Sequence, residues 1–186
     1  MTTLTIYPYA EPANAEKTTS DTAEIAALLG DVGVRFERWT ADRELPAGAD
    51  QATILDAYKS EIDRLSAEAG YRTIDVISIK PDNPNKEALR TKFLDEHTHD
   101  EDEVRFFVEG SGAFYLHLGD KIYQVVCTRG DLLSVPAGTQ HWFDMGPAPE
   151  FTCIRLFISP DGWVAKFTGD AISASVPRFN EARAAA

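Results

Sequence analysis

Cysteine is nearly absent from this chain: there are two among 186 residues. That excludes a small scaffold stapled by disulfides, which needs several pairs. Cys127 follows Val125 and Val126, and Cys153 lies between Phe151 and Ile154. Apolar neighbours of this kind fit two buried free thiols in a reducing cytosol. Basic residues are also few, 18 against 30 acidic ones, for a net charge of −12. Such a surface repels phosphate backbones and anionic lipid, so nucleic acid and membrane are set aside as partners. No apolar run approaches the ~20 residues of a spanning helix. The opening MTTLTIYPYAEP has no basic stretch before an apolar core and is not a secretory signal. A cytoplasmic protein is expected. Its acidic surface and lack of an apolar interface stripe point to a monomer.

The length suffices for one domain with a real core and is short for two. Leu4 and Ile6 alternate with threonines as in a strand, which Pro8 would end or mark as an edge. Asp21-Thr22-Ala23-Glu24 resembles a capping box, and Ile25, Leu28 and Leu29 follow at helical spacing. Val34, Phe36 and Trp39 suggest a second strand. Between Asp50 and Gly70, Ile54, Leu55, Tyr58, Ile62 and Leu65 form one helical stripe, with Gly70 as C-cap. Tyr71–Ile79 reads as a strand and Pro81–Asn85 as a turn.

After Phe93 strands are expected in quick succession: Val104–Glu109, Ala113–Leu118, Lys121–Thr128, Asp131–Val135, His141–Met145 and Phe151–Ser159. Gly119-Asp120 is a two-residue hairpin signal of type II′. Many short strands with regular turns predict a mainly β sandwich or barrel with a few helices, mostly N-terminal. One domain over 1–186 is expected. It divides into a helix-containing part over roughly 1–92, a barrel core over roughly 93–160 and a loose tail over roughly 172–186.

Of only four histidines, three stand where a metal ion would want them. Glu96-His97-Thr98-His99-Asp100-Glu101-Asp102-Glu103 contains His-x-His-x-x-x-Glu. On an extended strand His97 and His99 point the same way, and a turn through Asp100–Asp102 returns Glu103 to their side. His141, after Pro136 and Gly138, supplies a fourth ligand. Three imidazoles and one carboxylate suit Fe, Ni, Mn, Co or Zn and not Ca or Mg. Four protein ligands on an octahedral ion leave two positions for a bidentate substrate or O2. His117, in Phe114-Tyr115-Leu116-His117-Leu118, has no ligand partner nearby and reads as an ordinary strand histidine.

The stretches His97–Gly110 and Gly130–His141 resemble the two motifs of the cupin superfamily, a double-stranded β-helix (jelly-roll) barrel with a metal ion in its mouth. The usual opening Gly falls at Thr91 and the usual closing Asn at Met145; neither is a ligand. Within that superfamily the chain is similar to the acireductone dioxygenases of methionine salvage. The likeness is densest in Phe93–Gly110, Leu133–Gly146 and Ile154–Phe157.

The resemblance implies a specific chemistry. The substrates are 1,2-dihydroxy-3-keto-5-methylthiopentene and O2, and the cofactor is one Fe²⁺ or Ni²⁺ per chain. Fe²⁺ would give 4-methylthio-2-oxobutanoate and formate; Ni²⁺ would give 3-methylthiopropanoate, formate and carbon monoxide. Arg105 shares the strand face of Glu103, where a guanidinium would stabilise an enediol dianion. By resemblance Glu96 and Asp102 support metal loading and transmit local conformational change, and they could orient imidazole N–H groups. Phe93, Phe143 and Trp163 are expected to form an apolar pocket for the methylthio arm.

Overall fold

The computed structural model describes residues 1–41 and 43–179. The N-terminal part holds β1 (Thr3–Pro8), β2 (Lys17–Thr19), α1 (Thr22–Gly30), β3 (Arg35–Arg38), α2 (Gln51–Ala57), α3 (Lys59–Ala69), β4 (Thr73–Ile79) and α4 (Lys86–Leu94). Then come β5 (His97–Thr98), β6 (Glu103–Leu118), β7 (Lys121–Thr128), β8 (Asp131–Val135), β9 (Gln140–Asp144), β10 (Glu150–Phe157) and β11 (Lys166–Phe167), and last a 3-10 turn at Ile172–Ala174. None of the described helices is long and apolar enough to cross a membrane.

The strand β6 organises everything else. Its first half pairs with β8 and β10, and its second half with β7 and β9, all antiparallel. The two sheet halves run β3-β8-β6-β10-β4 and β2-β1-β7-β6-β9-β5-β11 and share only that strand. The sheet folds over on itself in a jelly-roll manner without closing. Gly110 makes the bend: its φ is +69°, and a Cβ there would stand 1.8 Å from the Glu150 carbonyl oxygen. The main core lies between the halves. Phe107, Leu133, Phe151 and Cys153 enter from one side, and Phe114, Leu116, Val125 and Phe143 from the other. Each large side chain buried this way stabilises the fold by roughly 1.5–3 kcal/mol. Outside the first half, α2 and α3 lay Ile54, Tyr58, Ile62 and Leu65 against Phe106, Val108, Ile154 and Leu156.

Several expectations are corrected here. The stripe over 50–70 is two helices, because Tyr58 leaves the helical region (φ −110°, ψ 19°) and its ring stands edge-on to Phe106 at 4.9 Å. Val104–Glu109 and Ala113–Leu118 are one strand, bent at Gly110 rather than broken. Pro8 ends β1, but β1 is not an edge: it pairs with both β2 and β7. Pro81–Asn85 is followed by the unforeseen helix α4. The tail from 172 is not loose through 179. Ile172, Val176 and Phe179 are buried against Tyr115 and Trp142, and the Phe179 N–H donates to Asp144 at 3.1 Å. The stretch Glu181–Ala186, also read as loose, lies outside the described residues.

Candidate metal centre

His97 sits in β5 directly opposite His141 in β9, and Glu103 opens β6 beside β8. The turn after His99 is fixed from the far side. The His99 carbonyl accepts from Gly138 N–H at 2.9 Å, and the Asp102 carboxylate accepts from Ala137 N–H at 2.9 Å. The loop that delivers His141 thus leans on the loop that delivers His99 and Glu103. One donor atom from each of His97, His99, Glu103 and His141 lies within 4.8 Å of the others, and all four residues are buried.

The histidine orientations follow from their outer nitrogens. Nδ1 of His97 lies 2.7 Å from the Asp95 carbonyl, that of His141 2.8 Å from the Thr139 carbonyl and that of His99 3.0 Å from the Val164 carbonyl. A carbonyl only accepts, so each Nδ1 carries a proton and each Nε2 points at the common centre, where it offers a lone pair once it holds no proton itself. Nε2 of His99 and of His141 stand 2.9 and 3.0 Å from the same Glu103 oxygen, Oε2. Neighbouring donors on an ion bound at about 2.1 Å would be about 3.0 Å apart at right angles. Ring nitrogens this close to a carboxylate require a proton or a metal ion between them, and with the protons shed the four residues fit a divalent ion.

The ionisation tendencies differ from ligand to ligand. Burial and the neighbouring His141 push the His97 imidazole down to about 4, so it is neutral and ready to ligate. His99 is buried too, which lowers its pKa, but its bond to Glu103 outweighs burial and leaves it raised. Burial pushes Glu103 up, yet the Arg105 charge and the bonds to His141 and His99 hold it well below the usual carboxylate range.

Arg105 completes the floor of the site. Its Nε donates to Glu103 Oε1 at 2.6 Å, leaving Oε2 to face the histidines. The guanidinium is wedged 5.7 Å from the Phe114 ring centre and 5.6 Å from that of Phe143. Its Nη1 is buried and has no hydrogen-bond partner among the described residues. A buried, fixed N–H donor without an acceptor is costly in the empty protein and invites an anionic oxygen.

Above this floor is a cavity of ≈ 400 Å³. Phe93 from α4, Phe143 from β9 and Trp163 from the segment after β10 line it, together with Phe114, Phe157 and Phe167. Phe93 and Phe143 meet edge-on at 6.3 Å, and Trp163 stands half exposed at the rim. The sequence reading omitted Leu89, Lys92 and Arg155, which also line the cavity. Arg155 was legible in principle, since it alternates with Cys153 and Phe157 on one face of β10.

Glu96 and Asp102 do not orient ligand imidazoles, because backbone carbonyls already hold those N–H groups. Asp102 fixes the Ala137 turn instead. Glu96 is almost wholly buried; its carboxylate contacts His117 Nδ1 at 2.8 Å and accepts from Thr168 Oγ1 at 2.6 Å. His117 is therefore no ordinary strand histidine. It partners a buried carboxylate that directly precedes β5, and stacks on Tyr9 at 4.8 Å.

Comparison with known proteins bears on all of this. The model of the ARD/ARD′ family matches residues 4–165. A protein of Citrobacter koseri named acireductone dioxygenase is 58% identical over 179 residues, 96% of this chain and 99% of that one. One of the same name from Parvibaculum lavamentivorans is 57% identical over 179 residues, 96% and 97% of the two chains. Among solved structures, the acireductone dioxygenase from Bacillus anthracis with cadmium ion in its active center superposes with a TM-score of 0.80 at 30% identity. That match covers 90% of this chain and 98% of the other.

Proposed function

Because the chain belongs to the acireductone dioxygenase (ARD/ARD′) family, we propose that it cleaves 1,2-dihydroxy-3-keto-5-methylthiopentene with O2 in methionine salvage, on one divalent ion held by His97, His99, Glu103 and His141. The observation that carries this reading is the convergence of those four buried side chains beside the unpartnered Nη1 of Arg105. The ion supplies a Lewis acid and a template for the enediol and O2. The mixed nitrogen and oxygen donor set accepts either Fe²⁺ or Ni²⁺, so one protein has two product sets. The first is 4-methylthio-2-oxobutanoate and formate, the second 3-methylthiopropanoate, formate and carbon monoxide. The acidic net charge of −12 and the two buried thiols support a monomer working in the cytoplasm.

The side chains have separable tasks. Arg105 favours loss of the enediol protons to solvent, because its buried guanidinium donates a stronger bond to a charged oxygen than to a neutral hydroxyl. Glu103 holds Arg105 in that pose through Nε and leaves Nη1 for the substrate. Phe93, Phe143 and Trp163 take the methylthio arm and keep bulk water from the oxygen-sensitive enediolate. Asp102 keeps the His141 loop in place. Glu96 ties β6 to the Thr168 segment and so steadies β5 from behind.

Oxygen uptake tests the reading. Metal-loaded protein should consume O2 and release formate only when acireductone is present. Uptake that persists in His141→Ala, or none at all in the wild type, would contradict it.

A further inference from the structure

Arg155 has no task in the account so far. In β10 it lies directly opposite Arg105 of β6, and on its other side directly opposite Asp75 of β4. Residues paired this way share a sheet face, so Arg105, Arg155 and Asp75 form one row across three strands. Two like charges opposed in a sheet are unfavourable on their own. Asp75 offsets the repulsion: its two carboxylate oxygens accept from Arg155 Nε at 2.7 Å and Nη2 at 2.5 Å. Arg155 also lines the metal-centre cavity, with its guanidinium 5.9 Å from the Phe157 ring centre. Among the described residues, the charged lining is Lys92, Arg105 and Arg155 against Glu103. A chain of net charge −12 has concentrated cations at one cavity.

We propose that Arg155, with Asp75 behind it, is a positioning residue for the substrate: the pair sets the positive field beside Arg105 in which the enediolate binds. The inference rests on the reading of the cavity as the acireductone site. Arg155 is one-fifth exposed and Asp75 about two-fifths, so the pair is partly screened and its effect is a tuning one. Arg105 remains the buried donor. Arg155 biases which charge state of a small anion is held next to it, and Asp75 limits that bias so that Arg105 and Arg155 tolerate each other when the cavity is empty.

The test separates field from scaffold. Asp75→Asn removes a negative charge behind the cavity, Arg155→Gln removes a positive one, and Arg155→Lys keeps the charge while losing the forked geometry. Metal-loaded wild type and variants are titrated with acireductone under strict exclusion of oxygen, and the absorbance of the bound dianion is read. Arg155→Gln should weaken dianion binding by about three- to tenfold, the size of a unit charge across one strand spacing at high effective dielectric, and Asp75→Asn, two spacings away, should tighten it by about twofold. Arg155→Lys should stay near wild type. A bridge that merely joins β10 to β4 would give losses in the same direction for Asp75→Asn and Arg155→Gln. That result, or no change in either, overturns the inference while leaving the acireductone site intact. Wild type that fails to bind anaerobically overturns the site reading and this inference together.

Discussion

Gly112 to Ala is a one-carbon perturbation aimed at the cavity wall from behind. Gly112 lies on β6, and a Cβ there would stand 2.3 Å from Cζ and 2.6 Å from Cε2 of Phe143. The ring has little room to retreat. Phe114 is 4.8 Å away, Phe151 5.4 Å and Phe93 6.3 Å, centre to centre, with the Arg105 guanidinium at 5.6 Å. It must therefore move toward the cavity or push its neighbours. Overpacking of this kind costs about 1–3 kcal/mol. Gly112 has no positive φ, so alanine also stiffens the unfolded chain and returns about 0.4–1 kcal/mol. The net loss spans about 0–2.6 kcal/mol and centres near 1.3, so at roughly 2–4 °C per kcal/mol for a chain of this length the Tm falls by about 3–5 °C. Because the displaced ring enters the substrate space, KM should rise more than kcat falls. Thermal unfolding and steady-state kinetics on metal-loaded protein measure both, and Phe143→Leu in the Gly112→Ala background should recover part of each. Unchanged Tm and KM in Gly112→Ala would refute the packing argument.

The other predictions concern the ion and its neighbours. His97→Ala and His141→Ala should each lose most of the bound metal and all turnover, read by metal analysis after gel filtration. His117→Ala should keep its metal but lose about 1–3 kcal/mol of stability, since it strips a partner from buried Glu96; an empty site in that variant would move the ligand assignment. Arg105→Ala should retain the ion, because guanidinium is not a ligand, yet lose the absorbance of bound dianion. Metal loading should weaken as pH falls. His99, held above its ordinary value by Glu103, must shed a proton before it can ligate, so affinity drops about tenfold per pH unit below its pKa. His97, at about 4, adds a second proton only near that pH. A pH-independent affinity between pH 7 and 5 would contradict the Nε2–Glu103 contact.

Local pattern carried most of the jelly-roll strands. The Lys121–Thr128 and Asp131–Val135 strands were legible because apolar β-branched residues run between glycine turns, and Gly119 has the positive φ that its turn demands. The grouping of His97, His99 and Glu103 was legible from spacing, as two residues on one face and a turn back, and His141 from the Pro136 and Gly138 turn that precedes it. The helix α4 was not. It has no buried residue and no side-chain cap at Asn85, so neither apolar period nor capping announced it. The break at Tyr58 is a tertiary effect, decided by packing on Phe106. The continuity of β6 is one too, since Gly110 and Gly112 signal an interruption locally while the strands on either side keep the pairing intact. Long-range polar pairs were equally hidden. Glu96 meets Thr168 across 72 positions, and Arg155 meets Asp75 across 80. No periodicity reports such partners, and only the register of the folded sheet brings them together.

The central claim is that one donor set serves two ions and that the ion selects the products. A single apo preparation, split and reloaded with Fe²⁺ or Ni²⁺ and given acireductone and O2, tests it most directly by gas and product analysis. Both halves should release formate, the Fe²⁺ half with 4-methylthio-2-oxobutanoate and the Ni²⁺ half with 3-methylthiopropanoate and carbon monoxide. No O2 uptake and no formate from either half, with the metal bound, would contradict the account.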